Sequence, residues 1–338
     1  MRDIWCSTAA LPRPVVNKRR SGVRWASFAS LIAALVAGCA EPVAPALEGM
    51  PKGPYRLTLE TAPARPAPNT ETEITLTLTR RASGAPVTDL QQVHERPLHT
   101  FIVARDFSSF AHLHQEDFGT RSEEDVAAGR FRFPYRFPGG GQYRIVAEFT
   151  HRDSAFAQHF NLQLGETTAV PPDPAEPPSR VYEQVVDDYS ARLRHSPPTL
   201  KAGREAELVL SLARESAPVT NLELILGAEV HAAIWREDGE DFGHTHSFTP
   251  AMAEMMRDMS AHPGQHSAAA MIALMSRPAE LVYPGPEVPL RYTFPRAGTY
   301  HLFLQCAPGG IPEVFHFVVE VEEADDTDAR IESIVPGA

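Results

Sequence analysis

The sequence predicts an all-β protein made of two tandem β-sandwiches, and three observations carry that prediction. Stretches such as Ile74-Thr-Leu-Thr-Leu78 alternate apolar and polar residues, the period of a strand with one buried face. Short stretches of this kind are separated by Gly- and Pro-rich turns, with no long helical periodicity between them. The third observation is a repeat: Leu98 to His114 returns as Val230 to His246, with His99, Phe110, His112 and His114 each displaced by 132 residues onto His231, Phe242, His244 and His246.

The first 38 residues stand outside that fold. Lys18, Arg19, Arg20 and Arg24 form a basic region, and a short apolar run ends in Leu35-Val-Ala-Gly-Cys39. That order predicts a lipoprotein signal peptide over 1–38, cleaved before an acylated Cys39. The protein is then expected to face the periplasm, on the outer membrane of a Gram-negative cell, or the cell exterior. Residues 39–54, rich in Pro, Ala and Glu, read as a tether.

The first sandwich is placed at 55–165, with strands over 55–61, 71–79, 131–137, 142–149 and 157–164 around the histidine hairpin. Residues 166–180, with five prolines between Pro171 and Pro178, read as a semi-rigid linker between separately folding halves. The second sandwich occupies 181–322. Phe294 and His316 lie 157 residues after Phe137 and His159, so 25 residues are inserted after the second hairpin. The insertion, about 249–288, is helical in composition and holds six of the eight methionines. Residues 323–338 form an acidic tail. Seven or so strands per half suit a sandwich of immunoglobulin or cupredoxin type.

Loss of the leader takes 31 basic and 43 acidic residues to 25 and 42, a net charge of −17. A chain of that charge is a poor partner for nucleic acid or an anionic surface. Cys306 becomes the one cysteine left without lipid, so no internal disulfide is available.

The histidines are the candidate chemistry. Tight turns at Arg105-Asp106 and Glu237-Asp238 would set His99 opposite His112 and His231 opposite His244, with His114 and His246 on the same faces. Three imidazoles at one end of each hairpin suit Cu(II), Zn(II) or Ni(II). Repeats also share residues through ancestry, so the same histidines can be packing elements. His159 and His316 are weaker candidates, because their neighbours Phe160, Phe315 and Phe317 take the core side of their strands. In the insertion, Met252, Met255, Met256 and Met259 fall at helical spacing with His262 and His266 beyond them. They read as an apolar stripe or as soft ligands for Cu(I), a lid over His231, His244 and His246. Cys306 reads as a packed small hydrophobe, since its counterpart is Phe149. No nucleophile motif or phosphate-cradling loop is present, so no catalytic residue is assigned.

The hairpin, followed by Phe-x-Phe-Pro-x-x-Phe137-Pro-Gly-Gly-Gly-Gln-Tyr143, resembles secreted bacterial β-sandwich modules of the YtkA-like and cupredoxin-like kind. The resemblance covers about half of each repeat. It implies an accessory role beside heavy-metal resistance or copper-delivery systems, with a metal-handling protein as partner. The leading expectation is a lipid-anchored, non-enzymatic metal binder, copper favoured. A structural or protein-interaction lipoprotein with no metal is the alternative, and a two-site copper oxygenase the third reading.

Overall fold

The computed structural model describes residues 46–165, 180–248 and 280–324, together with 252, 254, 255, 258, 270 and 273. The leader, Cys39, the linker residues 166–179 and the acidic tail from 325 lie outside the described residues. No described helix is long and apolar enough to cross a membrane.

The protein is all-β. In the N-terminal half the main strands are β1 (Tyr55–Ala62), β2 (Glu71–Arg80), β3 (Leu98–Ala104), β4 (Phe110–Leu113), β5 (Arg130–Arg136), β6 (Gly141–His151) and β7 (Ser154–Leu164). The C-terminal half repeats them as β8 (Tyr189–Ser196), β9 (Glu205–Arg214), β10 (Val230–Arg236), β11 (Phe242–His246), β12 (Glu287–Thr293), β13 (Gly298–Pro308) and β14 (Glu313–Glu322). Short two- to four-residue strands extend the sheet edges. Strands β1-β2-β5 form one sheet and β4-β3-β6-β7 the other; β8-β9-β12 and β11-β10-β13-β14 reproduce that order.

Each pair of sheets closes on its own apolar core. Leu57, Leu59, Ile74, Leu76 and Leu78 face Ile102, Ile145 and Phe149 in the first, with every second residue of β1 and β2 turned inward as their alternation requires. Leu208, Leu210, Ile234, Leu302, Phe315 and Phe317 build the second. Cys306 lies fully buried in it, and burial pushes its thiol well above the usual range. This is the packed role its sequence context predicts.

The halves do not stand apart as the proline-rich linker suggested. Strands β3 and β10 are buried on both faces, because the outer faces of β4-β3-β6-β7 and β11-β10-β13-β14 pack on each other. Phe101, Val103, Phe107 and Val146 meet Ala233, Trp235 and Phe303 in a third apolar cluster. Phe110 stacks on Phe303 at 4.6 Å, and Phe107 on His301 at 3.7 Å. Arg144 reaches across to donate to the Asp238 carbonyl at 2.7 Å. It fits because Gly239, at φ +75°, has no Cβ; one would stand 2.1 Å from Arg144 Nε. The sequence clue was Leu98-His-Thr-Phe-Ile-Val-Ala104, which lacks the clean alternation of a strand with one wet face.

Candidate metal centre

The hairpin register differs from the expected one by two residues. Phe101 pairs with His112 and Thr100 with Leu113, a register that sets His99 opposite His114, while His231 pairs directly with His246. The turns sit further along than expected. Asp106 Oδ1 accepts from Ser108 N and Asp238 Oδ1 from Glu240 N, and these turns place Phe107 (φ +58°) and Gly239 in the left-handed region. A two-residue shift preserves the pleat, so the three histidines of each hairpin still share a face.

In the first hairpin they converge. His114 Nε2 lies 3.0 Å from both His99 Nδ1 and His112 Nε2, and the latter two are 3.2 Å apart. All three side chains are buried. Their outer nitrogens fix which inner ones hold protons. His99 Nε2 meets the Val93 carbonyl at 2.9 Å, which only accepts, so it carries the hydrogen and leaves Nδ1 a bare lone pair. His114 Nδ1 donates to Asp117 Oδ2 at 2.9 Å, a carboxylate also held by Arg96 at 3.3 Å. His112 Nδ1 faces Oε1 of Gln305, from the other half, at 3.2 Å. Three lone pairs therefore point at one another with no proton between them. A cation held by His99 Nδ1, His112 Nε2 and His114 Nε2 would relieve that repulsion.

Burial pushes His99 and His112 well below the usual imidazole range, and neighbouring imidazoles add to the shift. His114 is lowered by burial too, against the opposing pull of Asp117. All three are thus neutral near pH 7, the form that ligates. The Asp117–His114 pair is the carboxylate–histidine arrangement that orients metal ligands elsewhere.

The second hairpin is built differently. His231 Nδ1 and His244 Nε2 are 3.1 Å apart, with His231 Nε2 on the Ile225 carbonyl at 2.8 Å and His244 Nδ1 on Glu148 Oε2 at 3.0 Å. The ring of His246 stands 6.1 Å from that of His231, and its Nδ1 turns to the Ser247 carbonyl at 2.9 Å. Among the described residues only His99, His112 and His114 offer three ligand atoms within 4.8 Å of one another. The position equivalent to Asp117 is Thr249, which has no carboxylate to offer the second triad's last imidazole.

His316 pairs with His301 at 2.9 Å and stacks on Phe303, and His159 is half-buried beside Phe242; neither joins the triad. Met256, Met259, His262 and His266 lie outside the described residues. Met252 and Met255 have helical backbone, and Met252 is buried. Sequence reasoning missed Asp117, Gln305 and Glu148, and it missed His94, whose ring packs 4.1 Å from His246. The His114-Gln-Glu-Asp117 spacing was the available signal for Asp117. His94 gave none, since Leu226 takes its place in the repeat.

A family model described as "Domain of unknown function (DUF8832)" matches residues 51–166 and 184–323. No curated protein matches the chain significantly. Among solved structures, the Escherichia coli adhesin FdeC is similar at 8% identity and a TM-score of 0.22, over 78% of this chain and 63% of its own. The Yersinia pseudotuberculosis adhesin InvE is similar at 11% identity and a TM-score of 0.20, over 78% and 58%. For the E. coli alpha-2-macroglobulin the figures are 11%, 0.22, 79% and 17%. The chain thus spans less than two thirds of the length of each.

Proposed function

The chain belongs to the DUF8832 family, whose description assigns no activity, and from that premise we propose that it binds a transition metal through His99, His112 and His114. The observation that carries this reading is the meeting of three imidazole lone pairs within 3.2 Å, each oriented from behind by an oxygen acceptor. An all-imidazole set suits Cu(II) and Zn(II), and the ordinary order of divalent affinities puts Cu(II) first. The role is binding rather than turnover. We place it in two tandem sandwich modules of immunoglobulin or cupredoxin type, the second carrying a Met-rich helical insertion.

The test is titration of the chelator-stripped protein with Cu(II) and with Zn(II) at neutral pH. The wild type is expected to bind, and His114→Ala to lose the ion held by the triad. Asp117→Asn is expected to weaken it by about 10–100-fold, the usual cost of removing such a supporting partner. A wild type that takes up neither ion overturns the reading.

The same proposal has the protein lipid-anchored at Cys39, facing the periplasm or the exterior, with a metal-handling protein as partner. The support is the order of basic region, apolar run and Gly-Cys. Cys39→Ser is expected to release it from the membrane fraction; retention there would put the anchor elsewhere.

A further inference from the structure

The two histidine groups are not remote from each other. The rings of His112 and His244 are 5.6 Å apart, those of His99 and His244 5.7 Å, and those of His112 and His231 5.9 Å. The facing outer sheets therefore gather one cluster of imidazoles, to which both halves contribute.

Within it the second group repeats the device of the first. The proton of His231 is committed to the Ile225 carbonyl and that of His244 to the Glu148 carboxylate, so Nδ1 and Nε2 oppose each other as lone pairs 3.1 Å apart. Among the described residues this pair lacks a third ligand, because His246 turns away. Outside the first triad, the nearest described replacement comes from the other half. His94 occupies a two-residue turn closed by paired hydrogen bonds between Val93 and Arg96, with His94 at φ +51° and Glu95 at φ +65°. Its buried ring lies 5.4 Å from that of His231 and 6.2 Å from that of His244. In the first triad, His114 stands 4.8 and 4.5 Å from its two partners. A displacement of about 1–2 Å, within reach of side-chain torsions, closes the difference. The equivalent turn of the other repeat carries Leu226, so this ligand is supplied in one direction only.

We propose that a second divalent transition-metal ion binds beside the first, held by His231, His244 and His94, so that the chain carries a dinuclear all-imidazole centre spanning both halves. The proposal rests on the reading of the His99 triad as a metal site. It adds a ligand the repeat does not contain, and it makes the contact between the halves part of the centre.

The experiment is Cu(II) loading of the full-length protein after chelator treatment, followed by metal analysis and electron paramagnetic resonance. Wild type is expected to retain two ions per chain. Its signal should grow with the first equivalent, then broaden or fall with the second, because two Cu(II) ions a few ångströms apart couple, as in other two-metal sites of about 3.5–4 Å. His94→Leu, which installs the residue found at the equivalent turn, and His244→Ala should each retain one. His114→Ala should also retain one, this time in the second position. One ion in wild type, unchanged in His94→Leu, overturns the dinuclear centre and leaves the triad standing. Two ions giving a simple doubled signal overturn their placement side by side. No uptake by wild type is the distinct outcome that removes the parent reading. The wild-type stoichiometry and signal decide the matter even if a variant fails to fold.

Discussion

Trp235→Ala is expected to lower the unfolding free energy by about 3–5 kcal/mol, the usual cost of emptying a large aromatic site in a packed interior. Trp235 has no exposed surface and lies between the halves, with ring centroids 4.7 Å from Phe242, 5.9 Å from Phe110 and 6.0 Å from Phe303. Little in β-sheets fixed on both faces can move in to fill the hole. Trp235→Phe separates area from chemistry. The buried indole N–H has no hydrogen-bond partner among the described residues, so its removal offsets part of the lost contact, and the variant should stay within about 1.5 kcal/mol of wild type. Denaturant unfolding measures both. A loss below 1 kcal/mol in the alanine variant would mean that the halves do not lean on this residue.

Acid is expected to act on stability through the buried histidines, His301 and His316 among them. Burial holds His301 at about 3, with the neighbouring His316 and Arg144 adding to the shift, and burial holds His316 at about 4. Both lie below the unfolded value of about 6.5. Above that value neither state binds the proton and stability is whole. Below it the unfolded chain takes up protons that the folded one refuses, and stability falls by about 1.4 kcal/mol per pH unit for each group until its folded value is reached. His301→Phe keeps the stack on Phe107 and removes one such group. Between pH 7 and pH 4.5 its stability should fall by roughly 3 kcal/mol less than that of wild type. Unfolding curves of the two proteins at matched pH test this, and parallel decline would show that His301 titrates alike in both states.

The strands were legible because Tyr55–Ala62, Glu71–Arg80 and their repeats alternate apolar and polar residues over a single buried face. The histidine triad was legible because strand parity survives a two-residue error in register. What stayed hidden was the packing between halves. Phe101, Phe110, Trp235 and Phe303 cover a second buried face, and a proline-rich linker says nothing about whether what it joins will dock. The two triads differ on a local matter the repeat did not show, a carboxylate at 117 and a threonine at 249. His94 was beyond reach of the repeat argument, which finds only what both copies keep.

The supports of the two histidine groups cross between the copies. Gln305 orients His112 and Glu148 orients His244, and these two supporting residues are 157 positions apart, equivalents in the repeat serving each other's histidine. A chain cut back to one copy would leave His112 or His244 free to take either tautomer. Neither copy is then a spare: a substitution at one crossing position is felt by the opposite copy's imidazole. The amide at one crossing and the carboxylate at the other give the two imidazoles unequal electron-donating strength.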